Sequence, residues 1–218
     1  NHISFIMDGN NRWSKKKNFN LSKGYTSGAY KLIKIANHIF KNYDVRYISA
    51  FALSKNNLNR SKIIISTIKK VLLDFLNKHE ENYNFDFKIK FIGDLNFLSK
   101  KIIDKIKLIE NINISSKNNL IIFINYSGQS DITNSITSLN KFSKINELSF
   151  SKILNTKNLP NPDLLIRTGG FQRLSNFMLY QLAFTELYFT KKLWPELSNT
   201  DLDKYIKNYH RIDRKFGL

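Results

Sequence analysis

Six apolar runs punctuate the chain, at His2 to Met7, Arg46 to Leu53, Phe87 to Ile92, Leu120 to Asn125, Asp163 to Ile166 and Glu186 to Phe189. Each is short and bounded by polar or turn-forming residues, as buried strands are. Between them apolar positions recur at helical spacing, at about Ser27 to Asn42, Ser61 to Tyr83, Asn96 to Ile112, Ser130 to Phe142 and Thr200 to Lys215. Strands alternating with helices predict right-handed crossovers and an α/β fold: a mostly parallel six-stranded sheet flanked by helices on both faces. No repeat or low-complexity linker interrupts the pattern, so residues 1–218 read as a single domain.

In such sheets ligands bind beyond the carboxyl ends of the strands. Asp8, Ser54, Asn125 and Arg167 each end or directly follow an apolar run, which puts all four on that edge. Asp8 lies in IMDGNNRW, between a strand and a Gly-Asn-Asn-Arg turn. An acid there either caps the turn or holds a hard cation such as Mg²⁺ shared with a phosphorylated substrate. Gly9 lets backbone approach phosphate, and Arg12 offers a bidentate fork. The segment DLLIRTGGFQRLSNFMLYQ adds Arg167, a flexible Gly169-Gly170, Arg173, and Ser175 with Asn176 at the start of an apolar helical run. Forks, free N–H groups and a helix N-terminus together suit a diphosphate cradle, the plainer alternative being that Gly169-Gly170 is a turn and Ser175 an N-cap.

Composition narrows the chemistry. Zero cysteines exclude disulfides, thiolate metal sites and a cysteine nucleophile. The formal charge of +18 invites a nucleic-acid reading, but only seven of the 35 basic residues are arginine. The lysines are scattered among asparagines and isoleucines, as on a solvated face, so nucleic acid is not the expected partner. Four of the arginines (Arg12, Arg60, Arg167 and Arg173) fall in candidate site segments. Neither GxxxxGK[ST] nor GxGxxG occurs, which disfavours nucleotide triphosphatases and dinucleotide enzymes. No apolar stretch approaches a membrane span and the first residues lack signal-peptide features, so the expectation is a cytoplasmic protein, with peripheral contact at the inner face of the membrane.

In order, HISFIMDGNNRW, SKNNLNR, NYSGQSDI, RTGGFQRLSNF and TELYFTKKLWP resemble the successive motifs of the cis-prenyltransferase family, from Ile3 to Gly217. The resemblance implies a synthase that adds isopentenyl diphosphate repeatedly to an allylic diphosphate such as farnesyl diphosphate, with Mg²⁺. It further implies an apolar tunnel for the growing chain, a homodimer, and a product serving as the undecaprenyl carrier for cell-wall sugars. Carried residue by residue, it puts Asp8 at the metal and the allylic diphosphate, with Gly9, Asn10, Arg12 and Trp13 around that diphosphate. Arg167, Arg173 and Ser175 match the residues that hold isopentenyl diphosphate, and Glu186 matches an acid supporting its metal. Ser54, Arg60 and Asn125 match further pocket residues, and Asn56 stands at a catalytic position. Asp8, Asn10 and a diphosphate oxygen are all candidates to take the proton released in condensation. The broad apolar face of KIIISTIKKVLLDFL suits a core helix by itself and a tunnel wall only through the resemblance.

Several positions depart from the family pattern. Leu21 and Tyr25 replace a usual arginine and histidine, Asn11 a glycine, Asn56 an acid, Leu58 a tryptophan and Phe171 an acid. Lys215-Phe216-Gly217 stands where R-x-G is usual. These changes raise the alternative of a weakly active or non-catalytic subunit that needs a partner. The absence of a DDxxD signature argues against the all-helical trans-prenyltransferases.

Overall fold

A strand covered on both faces is buried at every position, whatever its pattern, and HISFI takes even its polar His2 and Ser4 inside. Strand β1 (His2–Ile6) is buried at every position and lies at the centre of the sheet, with β2 (Tyr47–Ser54) on one side and β5 (Leu164–Arg167) on the other. The computed structural model describes residues 1–59, 61–81, 85–139 and 145–214. With β3 (Lys88–Ile92), β4 (Asn119–Tyr126) and β6 (Glu186–Phe189), the sheet runs β3-β4-β2-β1-β5-β6. All of its pairings are parallel. The chain moves outward from β1 on one side, then crosses back to build β5 and β6 on the other. A crevice therefore opens at the carboxyl ends of β1 and β5, where the strand order reverses.

Successive side chains of a strand point to opposite faces, and the two cores follow that period. Leu120, Ile122 and Ile124 pack on one face with Phe5, Ile48, Ile166 and the apolar stripes of the main helices. Ile121 and Phe123 point the other way, toward Phe51, Leu165, Phe177, Met178 and Leu182. The first core is closed by α2 (Leu21–Asn42), α3 (Lys62–Glu81), α4 (Lys100–Glu110) and α7 (Asn199–Tyr209). In α2, Leu32, Ile35, Ala36 and Ile39 supply the i, i+3, i+4, i+7 stripe. The remaining helices are α1 (Asn10–Lys16), α5 (Gly128–Ile136) and α6 (Glu147–Ser151).

The helices differ from expectation mostly at their ends. Helix α2 starts six residues before Ser27, because Asn20 accepts the Lys23 N–H and caps a first turn that carries little apolar signal. Helix α1, only seven residues long, stands where Gly-Asn-Asn-Arg predicts a turn; it is too short to show a period. Helix α5 ends at Ile136 and α7 at Tyr209; residues 82–83, 140–142 and 215, for which the sequence also predicts helix, lie outside the described residues. The larger correction is after Ser175. Ser175, Asn176 and Met178 all have positive φ, so the segment proceeds through successive turns and no helix N-terminus forms there.

Candidate active site

The site begins with two adjacent strands that end together. Ile6 of β1 pairs with Arg167 of β5, and Asp8 follows two residues later. The Asp8 backbone is pinned: its carbonyl accepts the Thr168 hydroxyl at 2.8 Å and the Trp194 N–H at 3.0 Å. Its carboxylate is held by two arginines, with Arg167 Nη2 donating to Oδ2 and Arg12 Nη2 to Oδ1, each at 3.1 Å. Arg12 reaches back from α1 by one helical turn. Gly9, at φ 117°, makes the turn from strand into that helix.

Arg167 is a buried bridge. Its side chain is only 3% exposed, and its second terminal nitrogen donates to Ser175 Oγ at 2.7 Å and to the Arg173 carbonyl. The turn carrying Ser175 is in turn latched to α5, since Asn176 Oδ1 accepts the Gln129 N–H at 2.9 Å and its Nδ2 donates to Ser127 Oγ at 2.9 Å. Burial pushes the Arg167 guanidinium downward from its usual value and Asp8 pushes it back up, so it stays charged. Gly169, at φ 88°, completes the arrangement: a Cβ there would stand 2.5 Å from Arg12 Nη2 and 3.0 Å from the Asp8 side chain.

These groups line a cavity of about 670 Å³, which also takes in Gly9, Asn10, Asn11, Arg12, Ser54, Asn57, Phe171, Arg173 and Ser175. A second, apolar cleft of about 100 Å³ runs between α2 and α3, lined by Leu32, Ile68, Val71, Leu72 and Phe75 among others. Met7, Asn10, Tyr25, Ala52, Leu53 and Ile68 border both, so a polar chamber opens onto an apolar one. At this seam Asn10 Oδ1 is buried without a hydrogen-bond partner.

The family model described as "Putative undecaprenyl diphosphate synthase" matches residues 6–217. The chain belongs to the cis-prenyltransferase family. An isoprenyl transferase of Fusobacterium nucleatum is 38% identical over 99% of this chain and 95% of its own. A ditrans,polycis-undecaprenyl-diphosphate synthase of Coxiella burnetii, (2E,6E)-farnesyl-diphosphate specific by name, is 34% identical over 100% of this chain and 95% of its own. Among solved structures, lavandulyl diphosphate synthase from Lavandula x intermedia, in complex with dimethylallyl diphosphate, superposes with a TM-score of 0.89. It is 32% identical, covering 100% of this chain and 98% of that one. This cis-prenyltransferase is thus an enzyme of cis-prenyl chain elongation.

Not every residue expected at the cis-prenyltransferase site reaches the cavity. Asn56 is exposed on a 3-10 turn (Lys55–Asn59), and its neighbour Asn57 faces the cavity instead. At about three residues per turn, one step of sequence rotates a side chain by a third of a circle. Trp13 turns aside to pack on Phe19, with ring centroids 5.6 Å apart. Asn125 shares the carboxyl edge, but at φ 51° its Nδ2 is spent on the Asp94 carbonyl at 2.8 Å. Glu186 starts β6 opposite Leu164, three positions short of the Arg167 edge, and is not among the described residues that line the Asp8 cavity. Arg60 lies outside the described residues. Of the departures, Tyr25 lines both chambers and Leu21 neither.

For a metal, the described residues contain no cluster of three or more imidazole or carboxylate ligands. Mg²⁺ does not require one. It keeps several waters and is commonly held by one or two carboxylates together with substrate phosphates. Asp8 fits that requirement, because among the described residues each of its oxygens accepts one arginine bond and retains a lone pair, and its side chain is 29% exposed.

Two contributors were invisible in the motifs. Thr168, fully buried, sets the Asp8 backbone by a contact no spacing rule encodes. In sequence Phe171 stands out only as a lost acid, whereas in the structure its ring lies over the guanidinium groups of Arg12, Arg167 and Arg173.

Proposed function

We propose that the enzyme condenses isopentenyl diphosphate repeatedly onto farnesyl diphosphate, making a long-chain cis-polyprenyl diphosphate that carries cell-wall sugars. The observation that carries this reading is the junction of chambers: three arginines and one carboxylate in a polar cavity that opens onto an apolar cleft through Asn10. A ligand with a diphosphate head and an isoprenoid tail fits both halves.

In this reading Asp8, Gly9, Asn10 and Arg12 surround the allylic diphosphate, while Arg167, Arg173 and Ser175 hold isopentenyl diphosphate. Ser54 adds a hydroxyl to the chamber wall. Arg167 touches both Asp8 and Ser175, so it ties the two diphosphate positions together and fixes their separation. Loss of diphosphate from the allylic substrate builds negative charge on the departing oxygens, where the forks of Arg12 and Arg167 lie in a partly dewatered pocket. Mg²⁺ bound at Asp8 would add positive charge to that leaving group. The apolar cleft between α2 and α3 takes the growing chain and keeps water from the carbocation-like centre.

The assembly is proposed as a homodimer, supported by the sheet edge at β6, where Leu187 is 45% and the preceding Phe184 64% exposed. A cytoplasmic location with peripheral membrane contact for product release is supported by the +18 charge, which favours an anionic leaflet. No helix among the described residues is long and apolar enough to cross a membrane.

Initial rates with geranyl, farnesyl and geranylgeranyl diphosphate as primers, each with Mg²⁺ and with EDTA, test the proposal. Farnesyl diphosphate should give the highest kcat/KM, and EDTA should stop turnover. Preference for another primer would overturn the farnesyl assignment, and full activity in EDTA the role of Mg²⁺.

A further inference from the structure

We infer that Phe171 is a positioning residue: an uncharged brace that gathers Arg12, Arg167 and Arg173 into one anion site while leaving their charge for the ligand. The inference rests on the diphosphate reading of the cavity and goes beyond it.

The Phe171 ring centroid lies 4.3 Å from Arg173 Cζ, 5.1 Å from Arg12 Cζ and 5.7 Å from Arg167 Cζ, all within the range of cation–π attraction. The three arginines come from different places: α1, the end of β5, and the turn after Gly170. Three like charges converging on one point repel, and Asp8 is the acid bonded to this group, reaching Arg12 and Arg167. Arg173 has no ion pair among the described residues. What opposes the repulsion at Arg173 is the face of Phe171, at the shortest of the three distances.

The chemistry of the brace decides its consequence. A carboxylate at position 171 would hold the same arginines by neutralising one of them, and would repel an incoming diphosphate unless a cation came with it. An aromatic face stabilises guanidinium groups through its quadrupole without cancelling their charge. The cavity therefore keeps three positive charges against the single negative charge of Asp8. It should capture diphosphate oxygen in the absence of a divalent cation. Phe171 is itself 43% exposed and forms no part of either core cluster, so the ring is free to be replaced without emptying the protein interior.

Titration calorimetry with inorganic pyrophosphate, in EDTA and separately with Mg²⁺, tests this on the wild type and on Phe171→Tyr, Phe171→Leu and Phe171→Glu, after a thermal melt shows each folded. One aromatic face over one exposed guanidinium is worth about two- to five-fold in an equilibrium constant. Phe171→Leu should therefore weaken metal-free pyrophosphate binding by about three- to ten-fold. Phe171→Tyr, which keeps the ring, should stay within about two-fold of wild type. Phe171→Glu should weaken it by about ten-fold or more in EDTA, and Mg²⁺ should recover part of that loss. If Leu and Glu variants bind pyrophosphate in EDTA as the wild type does, Phe171 is not a brace, and the diphosphate cavity stands without it. If the folded wild type binds pyrophosphate neither with nor without Mg²⁺, the cavity itself is misread and both proposals fall.

Discussion

Replacing Arg167 by lysine keeps a positive charge and removes a fork. The arginine makes its contacts through two terminal nitrogens, one to Asp8 Oδ2 and the other to Ser175 Oγ and the Arg173 carbonyl. A lysine ammonium is a point donor on a flexible stem and can serve only one end of that bridge at a time. The Arg167 side chain is only 3% exposed, so water compensates poorly for the bond that is lost. A hydrogen bond to a charged group is worth about 1.5–3 kcal/mol. Losing one should lower kcat/KM by about ten- to one-hundred-fold, since each ~1.4 kcal/mol is tenfold. The loss should fall more heavily on the KM for isopentenyl diphosphate than on that for the allylic primer. Steady-state kinetics with each substrate varied in turn, alongside a thermal melt, measure this. A variant within two-fold of wild type, or one whose two KM values rise equally, would refute the bridging role.

Three further outcomes are expected. Asp8→Ala should abolish turnover chiefly through kcat while far-ultraviolet dichroism stays native; near-normal turnover would leave Asp8 as a turn residue only. Gly169→Ala forces a side chain to φ 88° and into the space of Arg12 Nη2, so it should cost about 1–2 kcal/mol in urea unfolding and raise the primer KM; a neutral result in both would remove the close-approach argument. His2 is buried between the Pro160 carbonyl and Ser49 Oγ, each at 2.7 Å, and burial pushes its pKa down to about 4. Below about pH 6.5 the unfolded chain takes up a proton that the folded chain refuses, so stability should fall by about 3 kcal/mol between pH 6.5 and 4. His2→Gln should flatten that slope in pH-dependent urea titrations, and an unchanged slope would assign the acid lability elsewhere.

Much of this was legible in the chain because the fold is periodic. NLIIFINY reads as a strand for the same reason that it is buried: both faces are covered, so Leu120 to Ile124 run apolar without interruption, while HISFI is legible from its β-branched and aromatic residues although His2 and Ser4 are polar. Once parallel strands were inferred, Asp8, Ser54, Asn125 and Arg167 had to share an edge, and they do. What could not be read were directions of side chains within that edge. Asn125 points to a neighbouring carbonyl because its own backbone is left-handed, a conformation no apolar pattern announces. Asn57 faces the cavity and Asn56 solvent because a 3-10 turn intervenes. The turns after Gly170 defeated the helical period outright. There the φ values of Ser175, Asn176 and Met178 are imposed by tertiary bonds, such as those from Asn176 to α5, that outweigh local propensity. Phe171 was conspicuous only as a missing acid, and its contacts with three arginines depend on segments far apart in sequence.

The most direct test of the central claim, that the cavity at Asp8 and Arg167 serves repeated condensation, is the size distribution of products made from radiolabelled isopentenyl diphosphate and farnesyl diphosphate with Mg²⁺. After dephosphorylation and reversed-phase separation, the account predicts a series of polyprenols extended by many isoprene units with cis double bonds, lost together in Asp8→Ala. No labelled product, or a series that Asp8→Ala still makes, would contradict it.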